Sequence, residues 1–472
     1  MENDDFKKIY MVGIGGIAMG TLATMLKQSG FEVAGSDQNL YPPMSTHLQT
    51  LGIELFEGFS SANPEKFNPD LFIIGNVVRR ENPEAQFILS QDRPYLSMPQ
   101  AVSRLFLNGR RSVVVAGTHG KSTTASLLGW VLEQGGKDPG AFIGAFLKDW
   151  GRSYRLGKGE YMVLEGDEYD TAFFDKGPKF LHYQPYIGIV TSIEFDHADI
   201  FADIDSIIQA FRSFVRLIPE RGYLIVNADD PDSISLAPEC KGQVITYGRS
   251  HRADWCIKRV DFHSGEVSFQ LRTPGTFREE TFRTRLAGKH NVWNLTAVIA
   301  AASIAGISLE KIRKAIESFG GVKRRQDVIG EFGGVLLMDD FAHHPTAVKE
   351  TLEGLKLFHP ERRLIAAFEP RSNSSRRNVF QDQYPETFSA ADLICIKQPP
   401  GMESIPEYQR LDAVRLVEEI CKNEKDAHFF QTADELLGFL LQSVRPGDLI
   451  VCMSNGSFDG LTEKLAVELG KR

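Results

Sequence analysis

A buried-strand pattern that runs straight into a glycine turn and a helix is the strongest constraint on how this 472-residue chain folds. The apolar residues 112–116 lead to Gly117, and Lys121 and Ser122 then open a helix-like stretch. Glycines let backbone N–H groups converge on a phosphate, a lysine supplies a point charge, and a serine hydroxyl can reach Mg²⁺. Val115 stands where the usual spacing has a glycine, so the match is imperfect. The pattern nevertheless predicts a loop that binds a nucleotide triphosphate, rather than an ordinary strand-to-helix turn.

Length and charge limit what the rest of the chain can do. The chain is long enough for about three domains, each with its own hydrophobic core. Its formal net charge of −9 argues against general binding to nucleic acid or to a membrane surface. No apolar run approaches the length of a membrane span. Anionic ligands therefore need local clusters of cations.

Cysteine usage and the start of the chain indicate the compartment. The five cysteines are scattered without a C-x-x-C pair, which is typical of reduced thiols in a cytosol. Residues 1–5 are acidic and lack the basic start of a signal peptide. We expect a cytoplasmic protein; the sequence says nothing about its oligomeric state.

The N-terminal segment contains a second glycine-rich turn after an apolar strand. Residues 9–12 lead into G-x-G-x-x-A, and Asp37 follows at about the distance expected of a ribose-binding acid. NAD binding, UDP-sugar binding and simple strand–helix packing all use such glycines, so this turn alone leaves all three open. A polar stretch at residues 107–111 marks a plausible domain boundary.

Two acidic runs follow apolar strands in the middle of the chain. Residues 165–170 follow one strand, and residues 194–197 follow another. Ligands of open α/β sheets collect at the carboxyl ends of the strands, and carboxylate oxygens there suit Mg²⁺. Either run alone is more often a solvated turn, but two of them beside a nucleotide loop predict a metal site. His197 is a poor Mg²⁺ ligand by residue type.

The last third of the chain repeats the strand–helix pattern behind a cationic cluster. Arg324 and Arg325 lie in that cluster. The cluster is either exposed to solvent or neutralises the negative charge of a phosphoryl group during its transfer. The turn at residues 339–345 follows the next strand, and a later strand ends in a basic loop at residues 369–377. The alternation predicts another doubly wound unit.

Taken in order, these segments resemble the Mur ligase family over essentially the whole chain. The resemblance implies an α/β protein of three domains, the first and third Rossmann-like and the central one P-loop ATPase-like. Residues 1–108 are expected to bind a UDP-sugar, residues 109–326 to bind ATP, and residues 327–472 to bind a further ligand.

The resemblance also implies the residues that bind each ligand. For ATP these are Gly117, Thr118, His119, Gly120, Lys121, Ser122, Thr123, His290, Asn291, Arg325 and Asp340. For the UDP-sugar they are Gly13, Ile14, Gly15, Gly16, Ser36 and Asp37. Mg²⁺ is expected at Ser122, Glu165 and His197. Several relatives hold a second metal through a carbamylated lysine after the metal-binding histidine, but no lysine lies between His197 and Arg221 here.

Two branches of the family differ in the amine that they join to UDP-N-acetylmuramate. One uses L-alanine, and the other uses the tripeptide L-alanyl-γ-D-glutamyl-meso-diaminopimelate in peptidoglycan recycling. Residues 35–46, 168–176 and 454–458 are similar to the second branch. The L-alanine ligase remains an alternative, as does a nucleotide-binding regulator without turnover. An NAD-dependent enzyme leaves the second phosphate loop unexplained.

The expected chemistry is activation of a carboxylate by ATP. A free carboxylate is a poor acyl electrophile, whereas an acyl phosphate has a good leaving group. We assign Lys121 and Arg325 to the charge on the γ-phosphoryl group. His343 either accepts the proton lost by the attacking amine or serves a core or cap role. The peptide carboxylates are expected at Arg371, Arg376 and Arg377, unless these form a solvated basic loop.

Overall fold

The computed structural model of the protein describes residues 6–275 and 278–471, which form three α/β units, each built on its own mainly parallel sheet. The predicted three-domain α/β fold is therefore confirmed. Residues 1–5, which bear on the predicted lack of a signal peptide, lie outside the described residues. In the part of the chain that the structure describes, no helix is both long and apolar enough to span a membrane.

The first unit alternates five strands with five helices. In chain order these are β1 (Lys8–Val12), α1 (Ile17–Gln28), β2 (Glu32–Asp37), α2 (Met44–Thr50), β3 (Glu54–Glu57), α3 (Ala62–Phe67), β4 (Leu71–Ile74), α4 (Pro83–Leu89), β5 (Tyr95–Ser97) and α5 (Met98–Phe106). All strands run parallel, in the order β3-β2-β1-β4-β5. The apolar residues 9–12 of β1 are fully buried, as is typical of a central parallel strand.

The middle unit is a ten-stranded sheet with a separate hairpin. Its elements are β6 (Arg111–Ala116), α6 (Lys121–Gln134), β7 (Gly140–Leu147), β8 (Arg152–Leu156), β9 (Tyr161–Glu165), β10 (Asp170–Ala172), β11 (Asp175–Pro178), β12 (Ile187–Val190), α7 (Ile204–Arg216), β13 (Tyr223–Asn227), α8 (Pro231–Ile234), β14 (Gln243–Gly248), β15 (Trp255–His263), β16 (Glu266–Arg272), β17 (Glu279–Thr284), α9 (Lys289–Ile304) and α10 (Leu309–Ser318), with 3₁₀ helices at Lys179–His182 and Ala237–Glu239. The order is β17-β16-β15-β14-β13-β12-β6-β9-β7-β8, and β10 pairs with β11 alone. β6 thus lies between β12 and β9 and is parallel to both.

The third unit is a six-stranded sheet. Its elements are β18 (Asp327–Phe332), β19 (Val335–Asp340), α11 (Pro345–Phe358), β20 (Arg363–Phe368), α12 (Tyr384–Thr387), β21 (Leu393–Lys397), α13 (Ala413–Lys422), β22 (Ala427–Phe430), α14 (Ala433–Ser443), β23 (Asp448–Met453) and α15 (Leu461–Leu469), with 3₁₀ helices at Asn378–Phe380, Met402–Ser404, Glu407–Gln409 and Phe458–Gly460. The order is β18-β19-β23-β20-β21-β22, and only the β18–β19 pair is antiparallel.

The three units pack directly against one another. Between the first and middle units, Thr21 Oγ1 lies 3.0 Å from Ser153 Oγ in a buried hydrogen bond. Between the middle and third units, Gly354 of α11 packs so closely that an added Cβ would lie 2.7 Å from the Cα of Gly288. The carboxyl ends of β6, β9 and β19 consequently face a shared space.

Candidate functional site

A cavity of about 1770 Å³ lies where the three units meet. Ile17 and His47 line it from the first unit, Lys121 from the middle unit, and Arg371 and Asn455 from the third. A site for one small ligand has a volume of roughly 300–1,000 Å³. This cavity therefore has room for more than one substrate.

The loop between β6 and α6 has a backbone that only glycine accommodates at two positions. Gly117 has a φ of +133°, and a Cβ there would overlap Thr191 Oγ1. Gly120, which precedes α6, has a φ of +78°, and its Cβ would lie 2.6 Å from Asn294 Oδ1. The first turn of α6, whose N–H groups have no partner within the helix, thus begins at the cavity, as a phosphate site requires. Thr118, His119, Gly120, Lys121, Ser122 and Thr123 all line the cavity.

Lys121 is a largely buried ammonium, with 11% of its side chain exposed, and it is held in place by its own loop and by an acid. Its Nζ donates to Gly117 O at 2.7 Å and to Glu168 Oε2 at 2.9 Å. Burial alone would lower the pKa of Lys121, but the carboxylates of Glu168 and Asp167 raise it above its usual range. Asp167 is itself paired with Lys179, whose Nζ lies 2.9 Å from Asp167 Oδ2. The cavity thus contains a fully charged lysine.

Ser122 connects the loop to the end of β9 and to the start of the third unit. Its Oγ donates to Glu165 Oε1 at 2.6 Å and accepts from Arg325 Nη2 at 3.1 Å. Glu165 Oε2 accepts from the N–H of Gly144 at 2.8 Å. Burial, and then the nearby charge of Asp167, raise the pKa of Glu165. A partly buried carboxylate beside a hydroxyl is a set of hard oxygen donors, so the residues fit a Mg²⁺ ion.

His197 lies on the other side of the acidic run. Its Nε2 is 3.5 Å from Glu168 Oε1, and its backbone has a φ of +53°. Burial works against a charged ring, but the hydrogen bond to Glu168 and the charge of Asp196 raise the pKa of His197. The structure therefore pairs Ser122 with Glu165 and pairs His197 with Glu168.

The residues expected near the adenine lie at the start of α9. Asn291 is buried, and its Nδ2 donates to Ala287 O at 2.7 Å. His290 is half-buried with its Nδ1 3.4 Å from Glu350 Oε2. Both residues line the cavity, but the Asn291 amide is already used to fix the helix start.

Asp340 at the end of β19 holds the junction that carries Arg325. Its carboxylate accepts from the N–H groups of Gln326 at 2.6 Å and Ala342 at 2.7 Å. Burial raises the pKa of Asp340. Arg325 lies over the ring of Phe341, 4.4 Å from its centroid. Asp340 therefore positions the Arg325 segment, and both residues line the cavity.

The glycine turn of the first unit is closed by β2. The N–H groups of Gly13 and Ile14 donate to Ser36 O at 2.8 and 3.0 Å. The N–H of Gly15 donates to Asp37 Oδ2 at 2.8 Å. Gly16 is exposed at the start of α1, so Gly15, Gly16 and Asp37 form the accessible part of the turn.

Two residues expected to bind the UDP-sugar at this turn have buried side chains. The Ile14 side chain is fully buried in the core of the first unit. The Ser36 side chain is also fully buried, and its hydroxyl donates to the buried carboxylate of Glu84. Both side chains support the turn from inside, and the binding of the UDP-sugar by these two residues stays a prediction.

The three arginines of the predicted basic loop after β20 have different surroundings. One lines the cavity, and the other two form hydrogen bonds with neighbouring loops. Arg371 lines the cavity, and its Nη1 lies 3.4 Å from the buried Glu369 Oε1. Arg376 Nη1 donates to the carbonyls of Pro400 and Gly401 at 3.2 and 3.3 Å. Arg377 donates to Gln409 Oε1. Arg376 and Arg377 thus contact neighbouring loops and do not line the cavity, so their binding to the peptide stays a prediction that these contacts do not support.

His343 lines the cavity, and one of its two ring nitrogens is within hydrogen-bond distance of a backbone carbonyl. Its Nδ1 is 3.1 Å from Phe341 O, and its Nε2 is 4.0 Å from Asp196 Oδ2. Burial lowers the pKa of His343, so the neutral ring is favoured. Its carbonyl accepts from the Tyr384 hydroxyl at 2.6 Å, so the residue also anchors the turn before α11.

A second polar cluster joins the loop to the third unit. His119 Nε2 lies 3.2 Å from Glu194 Oε2, and His344 Nδ1 lies 3.6 Å from the same oxygen. Burial works against the charged form of Glu194, but hydrogen bonds from His119 and Thr346 lower its pKa to about 2. Burial and the neighbouring His119 lower the pKa of His344 to about 4.

Several residues of the site were missed when residues were assigned from the sequence. Glu168 and Glu194 belong to the two acidic runs. The sequence indicates that these runs carry carboxylates near the site, but it does not indicate which residue each carboxylate contacts. Asn294 lies one turn beyond the expected Asn291. Lys179, Glu84 and Thr346 have no local signal, because each acts on a residue that is distant in sequence.

Comparison with family models covers nearly the whole chain. The Mur ligase family, catalytic domain, matches residues 8–110, and the Mur ligase middle domain matches residues 115–302. The Mur ligase, glutamate ligase domain, matches residues 324–456.

Individual relatives also match from end to end. The UDP-N-acetylmuramate–L-alanyl-gamma-D-glutamyl-meso-2,6-diaminoheptandioate ligase of Escherichia coli (strain K12) is 38% identical, covering 98% of this chain and 99% of the relative. The UDP-N-acetylmuramate–L-alanine ligase of Caldanaerobacter subterraneus is 31% identical, covering 99% of each. A crystal structure of a murein peptide ligase from Psychrobacter arcticus has a TM-score of 0.72 at 32% identity and covers 99% of each chain.

Proposed function

Because the chain belongs to the Mur ligase family, whose members are ATP-dependent, ADP-forming ligases, we propose the following reaction. The enzyme joins UDP-N-acetylmuramate to L-alanyl-γ-D-glutamyl-meso-diaminopimelate through an amide bond, in peptidoglycan recycling. The observation that carries the proposal is the charged Lys121 beside the Ser122–Glu165–Arg325 chain, in a cavity lined by three units.

Each of the three units binds a different ligand, and the boundaries between the units lie near residues 108 and 326. The first unit offers Gly15, Gly16 and Asp37 to the UDP-sugar, and the middle unit offers the loop to ATP. The third unit offers Arg371 to a carboxylate of the peptide. We place the reaction in the cytoplasm, where ATP is available.

The first chemical step is transfer of the γ-phosphoryl group of ATP to the muramate carboxylate. Lys121 and Arg325 stabilise the negative charge that spreads over the phosphoryl oxygens. Ser122 and Glu165, with His197 nearby, would hold Mg²⁺. When bound there, the ion supplies positive charge that lets two anions approach each other.

The second step is attack of the peptide amine on the acyl phosphate, which forms the amide and releases phosphate. Arg371 orients the peptide, and His343 takes up the proton lost by the amine. The low pKa of His343 keeps its ring neutral, so Nε2 has a lone pair for that proton. Positioning and charge neutralisation account for both steps, without a covalent enzyme intermediate.

The tripeptide is preferred to L-alanine as the amine donor for two reasons. The E. coli relative named for the tripeptide is 38% identical, whereas the Caldanaerobacter relative named for L-alanine is 31% identical. A cation at Arg371 suits a peptide with several carboxylates.

The test is ADP release by the full-length protein with ATP, Mg²⁺ and UDP-N-acetylmuramate. We expect the tripeptide to stimulate release at least tenfold over a mixture that lacks any amine, and L-alanine to have little effect. Stimulation by L-alanine alone would contradict the tripeptide assignment. No release above background with either amine would favour a regulator without turnover.

A further inference from the structure

His119, Glu194 and His344 lie together, and the reaction steps proposed above give their side chains no part, although His119 belongs to the phosphate loop. We propose that these three side chains form a binding site for a transition-metal cation of the Zn²⁺ class. The site is separate from the Mg²⁺ position at Glu165. A cation bound there would tie the third unit to the phosphate loop.

The distances between the candidate ligand atoms support this proposal. His119 Nε2 and His344 Nδ1 lie 3.2 and 3.6 Å from Glu194 Oε2, and all three atoms lie within 4.8 Å of one another. Zinc bonds to histidine nitrogen and carboxylate oxygen are roughly 2.0–2.2 Å long. Tetrahedral geometry then places ligand atoms about 3.3–3.6 Å apart. Small side-chain rotations therefore suffice to bring the three atoms around one ion.

The hydrogen bonds around His344 present the correct nitrogen. Its Nε2 lies 3.2 Å from Phe195 O, and its Nδ1 accepts from the N–H of Thr346 at 3.3 Å. Nε2 therefore carries the proton and donates to the carbonyl, while Nδ1 carries the lone pair, which a cation would take over from the long hydrogen bond of Thr346. Metal-binding histidines commonly donate their other nitrogen to a carbonyl in this way.

The donor set distinguishes this cluster from the Mg²⁺ position. Two imidazoles and one carboxylate suit Zn²⁺, whereas Mg²⁺ favours oxygen ligands. The hydroxyl of Thr346 donates to Glu194 Oε2 at 2.6 Å and so helps to fix that carboxylate. Three protein ligands with one position left for water are a usual zinc arrangement.

The candidate ligands belong to two different units, so a bound cation would link those units. His119 lies in the phosphate loop and Glu194 follows β12, so both belong to the middle unit. His344 precedes α11 of the third unit and is buried. A shared ion would resist separation of the two units at the loop that carries Lys121.

The experiment measures binding of Zn²⁺ and Co²⁺ to the full-length protein in excess Mg²⁺, without nucleotide or substrate. We expect about one equivalent of Zn²⁺ by calorimetry and the strong visible absorption of tetrahedral Co²⁺. His119→Gln, Glu194→Gln and His344→Gln are each expected to weaken binding at least tenfold. His428→Gln is the matched control, because that partly exposed histidine lies in the third unit and its Nε2 is 2.8 Å from Asp426 Oδ1; this variant should bind like the wild type.

Two results would overturn the proposal: no binding in excess Mg²⁺, or wild-type affinity in the Glu194 and His119 variants. Circular dichroism shows whether each variant is folded. If the variant of the buried His344 does not fold, the metal affinities of the Glu194 and His119 variants decide whether the proposal holds. Hydrogen exchange adds a second readout, since Zn²⁺ should slow exchange at residues 118–121 and 343–346 together. Binding that leaves either segment unchanged would contradict the link between the units. None of these readouts depends on the ligase function.

Discussion

For individual charged residues, the neighbours decide whether a side chain binds substrate or supports the fold. Arg371, Arg376 and Arg377 are close in sequence and of the same type. Arg371 faces the cavity beside Glu369, whereas Arg376 and Arg377 donate to loop carbonyl and amide oxygens. Only Arg371 therefore presents its charge to the cavity, where a carboxylate of the incoming peptide would compete with Glu369 and Asp459 for it.

Substitution of Arg371 tests this difference. Arg371→Ala should raise the KM for the tripeptide about tenfold to a hundredfold, because a charge-assisted hydrogen bond contributes roughly 1.5–3 kcal/mol. The KM for ATP should stay within about twofold. Arg376→Ala is the matched control and should lower the melting temperature more than it changes the KM for the tripeptide. The assignment is wrong if the two variants raise that KM equally. Steady-state kinetics and thermal melting give both quantities.

Residue predictions from the sequence succeed where the signal is local. Lys121 and Ser122 are predicted because strand, glycine turn and helix are adjacent along the chain. Glu168, which holds Lys121, lies 47 positions away, and Thr346, which bonds to Glu194, lies 152 positions away. Such contacts exist only after the units have packed, so residue type alone does not assign them.

Among the elements, the loop between β6 and α6 is shaped by a helix far away in sequence. Gly117 and Gly120 have backbones that strongly favour glycine, and Asn294 of α9 packs against the second of them. The strand and the helix are predicted by the apolar run and the residues after it. The prediction does not include the antiparallel strands β15–β17 that extend the sheet. It starts from motifs for ligand binding, and none of those motifs lies in these strands.

Gly120→Ala tests the shape of this loop. A left-handed backbone costs a non-glycine residue about 1–2 kcal/mol, and the added Cβ also meets Asn294 Oδ1 at 2.6 Å. Gly136→Ala is the matched control, because its φ is +82° but no atom lies within 4 Å of the added Cβ. We expect both variants to lose stability in urea, Gly120→Ala more so, and only Gly120→Ala to lose ATP affinity. Equal losses of stability and affinity in the two variants would show that packing against Asn294 does not shape the loop.

At the scale of the whole molecule, function depends on where three units meet. The net charge of −9 disfavours anionic substrates, yet Lys121, Arg325 and Arg371 bring positive charge into one cavity from two units. The sequence predicts the three units because each carries its own strand–helix pattern. It does not predict the packing that joins β19 to the phosphate loop through Asp340 and Arg325, since those contacts cross unit boundaries.

The central claim is that the loop transfers a phosphoryl group to a carboxylate, and isotope transfer tests it most directly. UDP-N-acetylmuramate labelled with ¹⁸O in its carboxylate is turned over with ATP, Mg²⁺ and the tripeptide, and the released phosphate is analysed by mass spectrometry. Lys121→Ala is the control, which should release no labelled phosphate but still bind the UDP-sugar, because that ligand is assigned to the first unit. The account predicts one ¹⁸O atom in each phosphate released by the wild type. Phosphate without ¹⁸O, formed together with the amide, would contradict it.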